Sequence, residues 1–159
     1  TPNVPGIQID VVPQVVQKIT DQTVNNTAVL QNDSELKWYA GENDAIYFQC
    51  VIEHLSASNV PDLQVAFTVP AGGVVRWGPS NGIKVDAADA VVSQLQTAVS
   101  GTPVTFGSTT SRRQIVIEGL FENGATAGYL QLQWAQAVAT AVNTTVYGGT
   151  SHLRIWPRY

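Results

Sequence analysis

Histidine and cysteine are scarce in this sequence, and their spacing limits the chemistry they could carry. The two histidines, His54 and His152, lie far apart, and neither has a partner at the short spacing typical of zinc ligands. We expect both to be surface or inter-strand residues without a metal role. Cys50 is the single cysteine, so it cannot form an internal disulfide, and we expect a buried, apolar thiol.

Nucleophilic catalysis has only weak candidates. Ser151 precedes His152, but adjacent residues of a strand point to opposite faces, so this pair cannot form the hydrogen bond that a nucleophile and its base require. No G-x-S-x-G motif is present. Cys50 and His54 have no identifiable third residue to orient the base. These patterns do not predict a hydrolase.

Carboxylates also lack a catalytic arrangement. Glu118 and Glu122 lie four positions apart in a predicted strand, which separates them by ~13 Å, too far for a glycosidase pair. Four further acids fall near predicted turns without the spacing of a calcium-binding loop. They are Asp33, Glu35, Glu42 and Asp44. We expect no enzymatic activity, no metal and no cofactor.

Aromatic side chains are the remaining candidates for binding. Exposed tryptophans and tyrosines can stack on sugar rings, but the same residues often pack in cores and interfaces, and we favour packing. The residues concerned are Trp38, Trp77, Trp134, Trp156, Tyr39, Tyr129, Tyr147 and Tyr159.

The composition argues against nucleic-acid and membrane partners. Charged residues make up 13% of the chain, against roughly 25% in a typical soluble protein, and the net charge is −4. A nucleic-acid interface needs a basic patch, which is absent. No apolar run approaches the ~20 residues that cross a bilayer. Low charge with many neutral polar residues is common on surfaces that face other proteins.

An alternation of apolar and polar residues in the last third of the chain indicates β-strands. Ile115 to Phe121 and Leu130 to Ala135 show a period of two, and the turn residues from Glu122 to Gly128 between them, including Asn123-Gly124, predict that the two runs form a β-hairpin. A third alternating run, Ser151 to Arg158, is predicted to pair in the same sheet.

Similar short runs fill most of the chain before this hairpin. Ala45 to His54 is nearly continuous in apolar residues, which predicts a central strand. Further strands are predicted at Lys18 to Val24, Thr27 to Gln31, Glu35 to Tyr39 and Leu63 to Pro70, with a turn at residues 32–34. Val91, Val92, Leu95 and Val99 fall near helical spacing and predict a short helix from Ala87 to Ala98.

These elements predict an all-β fold. About eight to ten short strands separated by Gly, Pro and Asn turns are typical of an antiparallel β-sandwich or jelly roll. We expect one such domain over residues 18–159, preceded by an extended N-terminal arm over residues 1–17.

The N-terminal arm combines prolines with many apolar residues. Pro2, Pro5 and Pro13 favour an extended chain and confine any strand to a sheet edge. Such an apolar arm either packs along its own domain or lies over a neighbouring subunit. The C-terminal residues Trp156 to Tyr159 end a strand with bulky amphipathic groups that could meet a neighbour. The candidate interface residues are Val4, Ile7, Ile9, Val11, Val12, Trp156, Arg158 and Tyr159.

Several segments resemble a β-sandwich domain of tailed-bacteriophage virion proteins. The similarity covers about Lys18 to Ile155, and its most specific element is GYLQLQWAQ at residues 128–136. Other matching segments are ITDQTV at residues 19–24, LQVAFTVP at residues 63–70, RWG at residues 76–78 and EGL at residues 118–120.

The resemblance implies a structural protein of the virion and brings no catalytic residues. Members of the family are head decoration proteins or modules of tails and fibres. A domain with only a short arm favours decoration, in which many copies, as homotrimers, bind the major capsid protein on the capsid exterior after synthesis in the host cytoplasm. The alternative is a receptor-binding or adhesion module of a tail fibre or baseplate that recognises host-surface carbohydrate.

Overall fold

The structure is a computed structural model and describes residues 12–81, 84–85, 91–92 and 99–158 of the 159-residue chain. Within these ranges all helix or strand elements are β-strands, which confirms the predicted all-β class. In chain order the thirteen strands are β1 (Gln14–Gln17), β2 (Gln22–Asn25), β3 (Gln31–Ala40), β4 (Ala45–Ser56), β5 (Leu63–Thr68), β6 (Val74–Asn81), β7 (Lys84–Val85), β8 (Val91–Val92), β9 (Val104–Phe106), β10 (Arg113–Glu122), β11 (Gly128–Gln136), β12 (Asn143–Val146) and β13 (His152–Pro157).

Two antiparallel sheets contain these strands. Sheet I has seven strands in the order β1-β13-β4-β10-β6, with β12 pairing the end of β4 and β2 pairing β12. Sheet II has six strands in the order β3-β11-β5-β9-β7-β8. The apolar run that predicted a central strand forms β4, which has partners on both sides, so that prediction is confirmed.

The strand pairing is nested about the middle of the chain. β1 pairs with β13, β2 with β12, β3 with β11, β4 with β10 and β5 with β9. The chain therefore folds back on itself as one long antiparallel pair that is divided between two sheets. This arrangement is a jelly roll, a double-sheet fold that occurs in viral capsid and lectin domains among others.

The core lies between the sheets and is built from alternate residues of their strands. Phe67 of sheet II contacts Phe48 and Trp77 of sheet I, with ring centroids 5.0 and 5.2 Å apart. The inward residues predicted from the period of two are buried: Ile115, Ile117, Phe121, Leu130, Leu132 and Trp134. Burial of these large side chains is the main source of stability, at about 1.5–3 kcal/mol for each aliphatic or phenylalanine side chain.

The predicted hairpin between the two long C-terminal runs is wrong. β10 pairs with β4 and β6 in sheet I, whereas β11 pairs with β3 and β5 in sheet II. β13 shares a sheet with β10 but not with β11. Alternation identifies which face of a strand is buried, but it does not identify the partner strand. The connecting loop crosses the edge of the sandwich instead of reversing within one sheet.

The turn predicted at residues 32–34 is also wrong, because β3 continues through it. The ladder is interrupted here: Gln131 is opposite Lys37, but Gln133 is opposite Asn32. In this irregular stretch the Asp33 side chain turns into the core. The strand predicted at Thr27 to Gln31 is absent from residues 27–30, and the strand predicted from Lys18 begins only at Gln22.

The helix predicted from Ala87 to Ala98 is wrong at Val91–Val92, which form strand β8. The other residues of that range lie outside the described residues. Val and Thr favour strands, and here pairing with β7 outweighs the helical spacing. In the described ranges, no helix has the length and apolar character needed for a membrane span.

Candidate functional site

The first and last described strands, β1 and β13, meet along one edge of sheet I. The antiparallel register of β1 and β13 places Gln14 opposite Ile155. Residues 12 and 13 therefore run beside residues 156–158, which brings Val12 to the same end of the sheet as Trp156 and Arg158. Val12 is 83% exposed. The other predicted interface residues lie outside the described residues, namely Val4, Ile7, Ile9, Val11 and Tyr159.

The C-terminal residues at this edge, Trp156 and Arg158, contact their own domain but remain partly accessible. Trp156 is half-buried and packs on Tyr47 of β4, with ring centroids 5.3 Å apart. Arg158 is exposed, and its Nη1 lies 3.2 Å from Glu122 Oε1. Burial, together with the hydrogen bond and charge of Glu118, raises the pKa of Tyr47 to about 12. Tyr47 therefore keeps its hydroxyl proton at neutral pH.

Strand β1 leaves the edge itself open. In the described part of the chain β13 is its strand partner, and β1 is the terminal strand of sheet I. An edge strand presents unpaired N–H and C=O groups that can pair with another chain. The prediction that any strand in the arm would lie at a sheet edge is therefore confirmed for β1.

The aromatic residues separate into core and surface groups. Trp77 and Trp134 are buried, which rules out stacking on a sugar by either. Tyr39 and Tyr129 lie opposite each other on sheet II, are about half exposed, and meet edge to face at 5.2 Å. Lys37 Nζ lies 5.1 Å from the centre of the Tyr129 ring. This tyrosine pair is the aromatic surface best placed to bind a ligand.

Two further aromatics already have partners within the chain. Trp38 Nε1 donates a hydrogen bond of 2.9 Å to Gln14 Oε1. The Arg112 guanidinium stacks 3.7 Å above the Tyr147 ring and also contacts Glu53. Such internal contacts reduce the area available to a ligand.

The candidate catalytic residues are held by different partners. Ser151 Oγ accepts a hydrogen bond from the Glu53 N–H at 3.0 Å, whereas His152 Nδ1 lies 2.9 Å from the Thr150 carbonyl oxygen. Gln49 donates to Glu118, and Glu122 contacts the C-terminal arginine described above. No group of three His, Cys, Asp or Glu side chains converges among the described residues.

His54 and Cys50 both point into the core from β4. Cys50 is fully buried, as predicted, and burial raises the pKa of its thiol. Of the two locations expected for His54, the surface and an inter-strand position, the structure shows the second: His54 is 1% exposed and lies between Arg113 of β10 and Val146 of β12. Burial, and then the charge of Arg113 opposite it, lower the pKa of His54 to about 4. His54 borders a cavity of about 350 Å³.

A buried ion pair is the feature that the sequence did not reveal. Lys18 Nζ lies 3.0 Å from both carboxylate oxygens of Asp33, and both side chains are fully buried. Trp134 Nε1 donates to Asp33 Oδ2 at 3.1 Å. A lysine after an apolar arm and an aspartate in a predicted turn are normally surface residues, so neither carried a sequence signal for burial.

The Asp33 carboxylate also accepts hydrogen bonds from the backbone in the irregular part of β3. Asp33 Oδ1 accepts hydrogen bonds from the backbone N–H groups of Glu35 and Leu36, at 3.0 and 2.8 Å. These bonds replace ladder contacts that the irregular register omits. Glu35 Oε2 lies 3.6 Å from Lys18 Nζ and belongs to the same cluster.

Comparisons with known proteins give no family assignment. No family model matches the chain, and no curated protein matches it. Two solved chains from structures of infectious bursal disease virus are similar to it, from the Gx strain at 11% identity and a TM-score of 0.22, and from the Gt strain at 9% and 0.24. Each similarity covers 98% of this chain and 47% of the viral chain. These scores carry no argument about function.

Proposed function

We propose that this protein is a non-enzymatic structural protein of a bacteriophage particle, and that it decorates the outer surface of the head. The observation that carries the proposal is the open edge of sheet I. Strand β1 ends the sheet, continues N-terminally into the apolar, proline-marked arm, and lies beside Trp156 and Arg158. One continuous side of the domain thus offers both backbone and apolar contacts to another protein.

The proposed decoration would stabilise the shell by mass action. A protein that binds the assembled shell but not its free subunits stabilises the shell with every copy bound. The sequence of the arm offers apolar side chains, and the C-terminal residues contribute an aromatic ring and a guanidinium, both enriched in interfaces. A trimer would match the local threefold positions of a capsid lattice.

The experiment compares the intact chain with a variant that lacks residues 1–12 and retains β1. Light scattering measures the oligomeric state, and co-sedimentation with undecorated phage heads measures binding. We expect the intact chain to form trimers that pellet with heads, and the truncated chain to stay in solution. Binding by neither chain would contradict decoration, and equal binding by both would exclude the arm from it.

A second candidate function is carbohydrate binding by a tail-fibre or baseplate module. The specific observation that favours it is the exposed pair Tyr39 and Tyr129, since tyrosine faces can stack on sugar rings and jelly rolls include lectin domains. This pair lies on sheet II, whereas the open edge belongs to sheet I.

Separate variants distinguish the two functions because their surfaces lie on different sheets. The double variant Tyr39→Ala/Tyr129→Ala is expected to bind heads like the wild type. If the protein is instead an adhesin, this variant loses retention on host cells or host polysaccharide, while the chain without residues 1–12 keeps it.

A further inference from the structure

We propose that Lys18 and Asp33 join in an intramolecular isopeptide bond, which the folded domain forms by itself. The bond would link the residue after β1 to β3 and so fasten sheet I covalently to sheet II. It is independent of the proposed function.

The geometry brings nucleophile and electrophile into reacting distance. Lys18 Nζ is 3.0 Å from Asp33 Oδ1 and 3.0 Å from Oδ2. With C–O bonds of about 1.23 Å, equal distances to both oxygens place Nζ within roughly 3.4 Å of Cγ. This separation matches the ~3–3.5 Å between reacting atoms in a near-attack arrangement, which also requires the amine to approach Cγ from above the carboxylate plane. The fold therefore supplies the proximity that an amine and an acid lack in solution.

Burial gives condensation a driving force that an exposed pair lacks. Both side chains are fully buried, so the desolvation cost of two charges is present, and transfer of one proton from the ammonium to the carboxylate removes both charges at once. The resulting neutral amine is the nucleophilic form of lysine. Exclusion of water from the site also protects the product from hydrolysis.

The hydrogen bonds to Asp33 assign different roles to its two oxygens. Oδ1 accepts the backbone N–H groups of Glu35 and Leu36, which are fixed donors able to stabilise negative charge during attack. Oδ2 accepts one N–H, from Trp134. We therefore assign Oδ1 as the carbonyl oxygen of the amide and Oδ2 as the oxygen that leaves.

The reaction is balanced without an added reagent. The neutral Lys18 amine attacks Cγ of the protonated Asp33 carboxyl group, and the N–C bond forms. One proton moves from nitrogen to Oδ2, the Cγ–Oδ2 bond breaks, and one water molecule is released. Atoms and electrons are conserved, and neither group changes oxidation state.

Glu35 is positioned to carry this proton. Its Oε2 lies 3.6 Å from Lys18 Nζ. Burial by itself raises the pKa of Glu35, but hydrogen bonds from the backbone and hydroxyl of Thr20 and the backbone of Ile19, with the charge of Lys18, lower it overall. At neutral pH Glu35 is therefore ionised and can accept a proton from nitrogen.

The test is the intact mass of the purified protein. We expect a mass lower than that of the sequence by one water molecule. Trypsin cleaves after free lysine but not after acylated lysine, so residues 1–37 should remain one peptide that is lighter by one water. A wild-type chain of full mass that is cleaved after Lys18 overturns the proposal, whatever the variants do.

Variants locate the bond and test the role of Glu35. Lys18→Arg keeps a positive charge but cannot form the amide, so the full mass and cleavage after residue 18 should return. Lys37→Arg, at a half-buried lysine outside the cluster, should still show the loss of water. Glu35→Gln should slow the loss of water at least tenfold when newly synthesised chains, kept unfolded in denaturant before the bond can form, are refolded. A loss of water that persists in Lys18→Arg contradicts the assignment, and an unchanged rate in Glu35→Gln excludes Glu35 as the proton carrier.

Discussion

Gly119 on β10 lies directly opposite Phe48 on β4, and the phenylalanine ring occupies the place where a side chain of residue 119 would extend. A Cβ at residue 119 would overlap the Phe48 ring and would lie 2.8 Å from Trp77 Cβ. Because these rings form the centre of the core, they have little room to move.

We therefore predict that Gly119→Ala destabilises the domain through overpacking. The expected loss in free energy of unfolding is about 1–3 kcal/mol, the usual cost of adding a methyl group to a filled core. Urea denaturation measures it. Leu120→Ala, at the neighbouring exposed position, should cost less. Equal costs for the two variants would show that the contact with Phe48 relaxes freely.

Acid sensitivity is expected from His54. In the unfolded chain a histidine has a pKa of about 6.5, whereas in the folded chain the pKa of His54 is lowered to about 4. Between these values the unfolded chain binds more protons, so stability falls as pH decreases from about 6.5 to about 4. The loss amounts to about 3 kcal/mol, and above pH ~6.5 this group has no effect.

Replacing the histidine tests this assignment. In His54→Gln, the slope of unfolding free energy against pH should decrease between about pH 6.5 and 4, whatever the absolute stability of the variant. His152→Gln serves as the control at a half-buried histidine. If the slope is the same in wild type and His54→Gln, the acid sensitivity comes from other groups.

Asn123 holds together two loops at one end of the sandwich. Its Nδ2 donates to the Gly41 carbonyl at 2.7 Å and to the Thr126 carbonyl at 3.0 Å. Asn123→Ala removes both donors from partly buried carbonyls, so we expect a loss of about 1–3 kcal/mol in chemical denaturation. Asn143→Ala, at an exposed asparagine, is the matched variant and should change stability little. If Asn123→Ala loses as little stability as Asn143→Ala, then water replaces both hydrogen bonds of Asn123.

Cys50 should be unreactive in the folded protein. The thiol is fully buried, and burial raises its pKa, so the reactive thiolate is both rare and inaccessible. A thiol reagent should label it only at the rate of unfolding, and quickly in denaturant. Cys50→Ala/Leu120→Cys places a thiol at an exposed position and should react at once. Rapid labelling of native wild type would contradict the burial.

Arg158 allows binding to be separated from stability. Its ion pair with Glu122 is exposed, with 46% and 65% of the two side chains accessible, and such pairs contribute ~0–1 kcal/mol. Under the proposed decoration function, Arg158→Ala should leave unfolding nearly unchanged while weakening head binding about tenfold, as expected of hot-spot residues, among which arginine is enriched. Arg76→Ala, on the opposite edge of sheet I, should bind normally. If Arg158→Ala and Arg76→Ala bind heads equally well, Arg158 is not part of the interface.

The sequence predicts well which side of a strand is buried and which segments are strands, because both depend on patterns that repeat over a few neighbouring residues. Ile115, Ile117 and Phe121 fall on one side of β10 for any partner, since successive strand residues alternate between faces. The all-β class, the central position of β4 and the edge position of β1 followed from similar patterns of apolar, proline and turn residues.

Which strands pair, and which polar side chains are buried, depend on residues distant in the chain. The sequence alone determined that Ile115 to Phe121 and Leu130 to Ala135 lie in strands, and which of their large apolar residues face the core. Tertiary structure decided that they belong to opposite sheets, because each run meets its partners only when the whole chain folds back. Tertiary structure likewise decided that Lys18 and Asp33 are buried together, since an ion pair is stable in a core only where fixed donors from β3 and β11 surround it.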